Sequence, residues 1–90
     1  MKPIRFSPHA EANLKAREIA REDGEAAIRN PARRETGRPP REIVTRGYHD
    51  KVTGEEMLLR AVIEESENEI SVVTLYKTSK IKKYLPEGTT

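Results

Sequence analysis

Three polar side chains in this chain have types suited to cleaving a phosphodiester bond. His9 follows Ser7-Pro8, a strong signal for a helix start, and an imidazole in that first turn can accept a proton. Arg60 and Tyr76 lie in segments with the alternation of β-strands. A guanidinium fork binds phosphate oxygens, and a phenol can transfer a proton or stack on a base. We therefore predict His9, Arg60 and Tyr76 as the catalytic candidates.

Each candidate also has a purely structural explanation. His9 can hydrogen-bond locally and fix the start of its helix. Arg60 can pair with Glu42 or Glu64 on the surface of a sheet, a contact that contributes little energy. Tyr76 can pack its ring and leave its hydroxyl in water. The sequence alone leaves these alternatives open.

Further polar and basic residues could position an anionic substrate. The net charge is only +2, so attraction to an anion depends on where the cations cluster rather than on their total. Each phosphate neutralised releases counterions, which makes such binding sensitive to salt. The predicted substrate-binding residues are Arg17, Arg33, Arg34, Arg46, Thr74 and Lys80.

The composition argues against metal and cofactor chemistry and against a membrane span. The chain has no cysteine, and its histidines, His9 and His49, are far apart in sequence and lack nearby paired carboxylates. No glycine-rich phosphate loop occurs. No apolar run approaches the ~18–20 residues of a transmembrane helix. We expect no metal, no cofactor and a cytoplasmic location.

The stretch of residues 70–85 organises the rest of the chain. Its β-branched, apolar beginning is typical of a buried strand, and it ends in a basic segment. Strict alternation places Val73 and Leu75 on the core side and Thr74 and Tyr76 on the other side. One face of this strand is therefore expected in the core and the other in contact with a polar partner.

The remaining elements predict an α+β fold in one domain, residues 1–90, with a frayed tail over 86–90. Two N-terminal helices, 9–17 and about 20–29, precede a loop over 32–40 and strands at 42–48 and 57–64. Short links favour an antiparallel meander, with both helices packed on one face of a small antiparallel sheet. In the strand over 57–64, alternation places Met57, Leu59, Ala61 and Ile63 on the core face and Arg60 on the opposite, open face. Arg46 would join Arg60 there if Ile43 and Thr45 point inward.

The motifs Phe6-Ser7-Pro8-His9-Ala10, Ala27-Ile28-Arg29-Asn30-Pro31 and Val72-Val73-Thr74-Leu75-Tyr76 resemble those of the domain-of-unknown-function 4258 family. The resemblance covers nearly the whole chain. That family is similar to RelE-type and BrnT-type toxins, which implies a helix–helix–sheet fold and often a metal-independent ribonuclease activity. The polar positions of the family fall on His9, Arg17, Arg60, Thr74 and Tyr76. Asn13, Glu18 and Gly24 depart from it, standing where arginine, glycine and an apolar residue are usual.

Two functional hypotheses follow. The first is a RelE-like, metal-independent endoribonuclease, the toxin of a toxin–antitoxin pair, in which RNA supplies its own 2′-hydroxyl nucleophile. The second is a non-catalytic module that binds RNA or an antitoxin-like protein partner through the same basic face. Asparagine at position 13, where the family usually has arginine, favours the second hypothesis.

Overall fold

The computed structural model describes residues 2–85, and the predicted tail over 86–90 lies outside this range. Within residues 2–85 the sheet has five strands in the order β1-β5-β4-β3-β2. The elements in chain order are β1 (Ile4–Phe6), α1 (Pro8–Ala16), α2 (Arg21–Arg29), β2 (Arg33–Thr36), β3 (Arg41–Asp50), β4 (Glu55–Glu65), β5 (Ile70–Thr78) and α3 (Ile81–Tyr84).

The predicted antiparallel sheet with two N-terminal helices on one face is wrong. The sheet is larger and mixed, because β1 pairs in parallel with β5 while the other strand pairs are antiparallel. A strand precedes α1, and a third helix follows β5. The parallel pairing of residue 4 with residue 70 connects the two ends of the domain. No local sequence pattern reports a contact of that range.

The strand β2 lies within the segment that was predicted to be a loop. Its sequence, Arg-Arg-Glu-Thr, is charged and has no apolar alternation. It is extended because it pairs in register with β3, from Arg33 opposite Thr45 to Thr36 opposite Glu42. Pairing with a neighbouring strand, rather than local propensity, determines its conformation.

The core lies between α1, α2 and one face of the sheet. The predicted alternation in β4 is present, since Leu59, Ala61 and Ile63 are buried on the side of the helices and Arg60 points to the other side. The Ser7 hydroxyl caps α1 by accepting a hydrogen bond from the Ala10 backbone N–H at 3.0 Å. It also donates to the Val73 carbonyl at 3.1 Å, which ties the start of the helix to β5.

A β-bulge changes the facing of residues in β5. Ile63 pairs with Val72 while the adjacent Val62 pairs with Thr74, so Val73 is an extra residue with no partner on β4. Val72 and Leu75 are both buried in the core, and Val73 is only partly buried. The prediction that Val73 shares the core face with Leu75 was therefore wrong. An inserted residue shifts the alternation by one position.

No helix within residues 2–85 is long and apolar enough to cross a membrane.

Candidate functional site

Arg60 is the centre of a polar cluster on the sheet face opposite α1 and α2. It lies directly between Thr45 on β3 and Tyr76 on β5. Its Nε donates to the Thr45 hydroxyl at 3.2 Å and its Nη1 to the Tyr76 hydroxyl at 2.7 Å. Its Nη2 donates to the Glu35 carboxylate at 3.1 Å. Arg60 is only 7% exposed, so this cluster fixes a buried cation that has one carboxylate partner within residues 2–85.

The third helix covers this cluster. The guanidinium carbon of Arg60 lies 3.9 Å from the centre of the Tyr84 ring, in α3, which is a close cation–π stack. Arg33, on the edge strand β2, donates to the Tyr84 carbonyl at 2.9 Å and lies 3.7 Å from the Glu35 carboxylate. Residues from β2, β3, β4, β5 and α3 thus meet around one guanidinium.

The two phenols of the cluster have pKa values shifted in opposite directions. Burial raises the pKa of Tyr76, the nearby Tyr84 hydroxyl raises it further, and Arg60 opposes both. The pKa of Tyr84 is lowered, chiefly by the nearby Tyr76 hydroxyl and also by Lys83 and Arg60. Groups that share a site but ionise at different pH are suited to act as an acid and a base.

His9, the first predicted catalytic residue, is not part of this cluster. It is exposed on α1, whose buried residues Ala10 and Leu14 pack into the core on the opposite side of the sheet. Within residues 2–85 its side chain makes no hydrogen bond or ion pair. Arg17 is also exposed, at the end of α1. The structure therefore brings Arg60 and Tyr76 together and leaves His9 and Arg17 on the other face.

Arg46 lies on the helix side of the sheet, contrary to the prediction that it would join Arg60. It pairs across the strands with Leu59, a core residue, and its Nη1 donates to the Asn30 carbonyl at 2.6 Å. Thr45 instead faces Arg60 and is completely buried. The alternation in β3 was therefore assigned to the wrong faces, because Val44 rather than Thr45 enters the helix-side core.

The remaining predicted binding residues have separate roles. Thr74 donates to the Asn13 side-chain oxygen at 2.7 Å, on α1. Lys80 is exposed at the start of α3, next to the cluster, and its ammonium has no carboxylate partner among residues 2–85. Arg34 pairs with Glu42 at 2.8 Å and lies 3.7 Å from Glu65. The positive charge of Arg34 is thus already balanced within the protein.

Sequence reasoning missed Glu35, Thr45 and Tyr84. Glu35 and Thr45 become partners of Arg60 only through strand pairing, which no local pattern indicates. Tyr84 lies in the basic segment that ends residues 70–85, and an aromatic residue beside lysines was the available signal. His49, to which no role was given, has its Nδ1 2.6 Å from the Glu56 carboxylate at an exposed hairpin end.

The described part of the chain contains no group of three or more histidine, cysteine, aspartate or glutamate side chains placed to hold a metal ion. Comparisons with family models, with curated proteins and with solved structures gave no match.

Proposed function

We propose that this protein is an RNA-directed endoribonuclease that works without a metal, as the toxin of a toxin–antitoxin pair in the cytoplasm. The observation that supports the proposal is that Arg60 stacks on the Tyr84 ring and donates a hydrogen bond to the Tyr76 hydroxyl, so one cation contacts two phenols whose pKa values are shifted in opposite directions. Cleavage of RNA through its 2′-hydroxyl needs a base, an acid and stabilisation of charge on the phosphate. The cluster offers one group for each of these roles.

The proposed chemistry is an attack of the 2′-oxygen on the adjacent phosphorus. Tyr84, whose lowered pKa makes a phenolate easier to form than in a free tyrosine, takes the proton from the 2′-hydroxyl in that form. Tyr76, the phenol with the raised pKa, keeps its proton and donates it to the departing 5′-oxygen. The bond from phosphorus to the 5′-oxygen breaks, and the products carry a 2′,3′-cyclic phosphate and a 5′-hydroxyl.

Arg60 stabilises the charge that develops on the phosphate. Three of its N–H groups are used by Thr45, Tyr76 and Glu35, and a guanidinium has five. The other two N–H groups make no hydrogen bond within residues 2–85, so they are available to a phosphate. Because Arg60 is 7% exposed, the phosphate must approach the edge of the guanidinium that the Tyr84 ring does not cover, while Tyr84 keeps the contacts that lower its pKa.

Product-end analysis on a labelled single-stranded RNA, with and without chelator, tests this proposal. We expect cyclic phosphate ends in the presence of chelator and a loss of about 10²–10⁴-fold in rate for Tyr84→Phe, since a phenol that transfers a proton cannot be replaced by phenyl. Arg60→Lys should also lose activity, because an ammonium lacks the bidentate fork. Cleavage that needs added magnesium, or a Tyr84→Phe protein as active as the wild type, rejects the mechanism.

His9→Ala is the matched variant for the catalytic assignment. His9 is exposed on the other face of the sheet, so its replacement should leave the rate within about twofold, the range of an ordinary surface substitution. A large loss of rate in folded His9→Ala protein would show that the histidine, and not Tyr84, accepts the proton.

A non-catalytic module that binds RNA or an antitoxin-like protein partner is the second candidate function. The burial of Arg60 favours it, because a guanidinium satisfied by Thr45, Tyr76 and Glu35 can be purely structural. Expression of the chain alone distinguishes the two candidates. Growth arrest that Tyr84→Phe abolishes supports the enzyme, and RNA binding at ~50 mM salt without cleavage supports the module.

A further inference from the structure

A cavity lies on the helix side of the sheet, away from Arg60. It has a volume of about 260 Å³ and lies between α2 and the strands β3 and β4, open to solvent on one side. Ala27 and Leu59 form its buried apolar floor, and Ala26 lies exposed at its rim. The polar groups that line it are Asp23, Arg46, Tyr48 and the backbone at Gly47. Its volume is at the lower end of the range for small-molecule sites.

The charged groups of this cavity do not pair with one another. Asp23 and Arg46 both line it, yet no nitrogen–oxygen distance between them is within 4.0 Å, so no salt bridge forms. Within residues 2–85 the Asp23 carboxylate has no hydrogen-bond partner, although the residue is half-buried. Elsewhere in this protein carboxylates near arginines do pair, as Glu42 does with Arg34. A ligand between Asp23 and Arg46 would satisfy both.

The other polar groups are also available to a ligand. Arg46 uses its Nη1 for the Asn30 carbonyl, so Nη2 and Nε have no partner among the described residues. The Tyr48 hydroxyl lies 3.5 Å from the Asp50 carboxylate, which is long for a hydrogen bond between oxygens. The ring of Tyr48, partly buried against the core, forms a wall of the cavity.

From this arrangement we infer that the cavity binds a guanine base, with Asp23 and Arg46 reading two adjacent edges of the ring. The carboxylate accepts from the N1–H and the 2-amino group, which are donors side by side on guanine. The guanidinium donates to O6 and N7, as arginine does when it reads guanine in DNA. Tyr48 supplies an aromatic surface for the ring. The choice of a nucleobase over another small ligand rests on the proposed RNA-directed function.

The same geometry discriminates against adenine. Adenine has no N1–H, so its N1 lone pair would face the Asp23 carboxylate. Its 6-amino group, a donor, would stand where Arg46 requires an acceptor. Hypoxanthine keeps N1–H and O6 but lacks the 2-amino group. The expected order of affinity is therefore GMP, then IMP, then AMP, with all three sharing the same sugar and phosphate.

Titration of the purified protein with GMP, IMP and AMP, followed by amide chemical shifts, tests the inference. GMP should bind more tightly than AMP by about tenfold or more, because AMP would leave the polar groups of Asp23 and Arg46 facing groups that cannot pair with them. Asp23→Asn should weaken GMP binding by about tenfold or more. Glu22→Gln, the same charge change on the exposed neighbouring position of α2, should leave it unchanged. Equal binding of GMP and AMP would overturn the inference.

A blocking variant keeps the test independent of the charge changes. Ala26→Leu adds a side chain at the exposed rim and should close the cavity without disturbing the core. In this variant, GMP should no longer change the amide chemical shift of Gly47. Undiminished GMP binding in a folded Ala26→Leu protein would place the nucleotide elsewhere and reject this cavity as its site.

The guanine base could belong to an RNA strand or to a free nucleotide. Binding of a short single-stranded RNA with one guanosine, compared with the same RNA carrying inosine at that position, distinguishes these two sources. A preference for guanosine that is lost in Asp23→Asn supports recognition within RNA. If RNA binds without that preference and GMP fails to bind, the cavity inference fails and the RNA-directed function stands. If GMP binds and RNA does not, the free nucleotide is the ligand and the proposed function fails. If neither binds, both are overturned.

Discussion

The side-chain oxygen of Asn13 accepts a hydrogen bond from the Leu75 backbone N–H at 3.2 Å, at an edge of the sheet that no strand within residues 2–85 covers. The strand β1 pairs with β5 only as far as Val72, so the edge of β5 is open beyond that residue. Asn13, which is 7% exposed, satisfies an N–H there that would otherwise be buried without a partner. It also accepts from the Thr74 hydroxyl at 2.7 Å. An amide at this position therefore has a structural role.

Asn13→Ala should lower the free energy of unfolding by about 1–3 kcal/mol, because it leaves the buried Leu75 N–H unsatisfied. Urea unfolding followed by circular dichroism measures the change. Asn68→Ala is the control, since Asn68 lies in an exposed turn and its side chain makes no hydrogen bond among residues 2–85. A loss in Asn13→Ala no greater than in the control would contradict the role assigned to this amide.

Gly24→Ala should stabilise the protein by about 0.5–1 kcal/mol. The glycine is inside α2, where alanine is preferred, and an added Cβ would lie 3.4 Å from Leu75 and 3.5 Å from Phe6, which is ordinary contact. Gly54→Ala provides the contrast. Its φ of +74° in the turn after β3 disfavours a side chain, so this variant should be less stable by about 1 kcal/mol. Thermal unfolding of both variants would show shifts of opposite sign.

The stability of the fold should decrease at acidic pH partly through Asp50. Burial, at 2% exposure, opposes the charge of this carboxylate, but hydrogen bonds from Thr53 and Lys77 outweigh it and lower its pKa from 3.8. A carboxyl whose pKa is lower in the folded state contributes stability above its unfolded pKa. That contribution is lost as the pH falls through the lowered value.

Urea unfolding of the wild type and Asp50→Asn between pH 7 and pH 2 tests this expectation. The difference in unfolding free energy should be constant near neutral pH and should shrink below about pH 4, the ordinary range of an aspartate. Lys77→Met should lose part of the same dependence, because the Lys77 ammonium lies 3.1 Å from the Asp50 carboxylate. A pH-independent difference would show that Asp50 is not held in its charged form.

Lys80→Gln should weaken single-stranded RNA binding for all sequences alike. Lys80 lies beside α3, on the sheet face of Arg60, and its charge is not balanced by a carboxylate within residues 2–85. Removing one phosphate contact should reduce the slope of log K against log salt by about 0.7. Lys15→Gln, an exposed lysine of α1 on the other face, should leave the slope unchanged. Equal slopes for the two variants would place the RNA elsewhere.

Local sequence patterns determined several elements correctly. Ser7-Pro8 predicted the start of α1, because a hydroxyl that caps the free N–H groups and a proline with fixed φ are both local requirements. The alternation in residues 57–63 predicted which side chains of β4 enter the core. Alternation in this strand and in residues 70–76 also put Arg60 and Tyr76 on the same face, where the strand register makes them neighbours and a hydrogen bond forms between them.

Tertiary structure alone decided the sheet order, the bulge at Val73 and the composition of the site. Ile4 pairs with Ile70 and Arg33 pairs with Thr45. The sequences of the paired segments do not indicate which segment each will pair with. The bulge in β5 takes Val73 out of the core. The side chains of β3 face the opposite way from the prediction, so Arg46 lies on the helix side. The physical reason is that strand pairing satisfies backbone groups over any separation in sequence. The side chains that meet across strands are therefore fixed by register, which the periodicity of one segment does not contain.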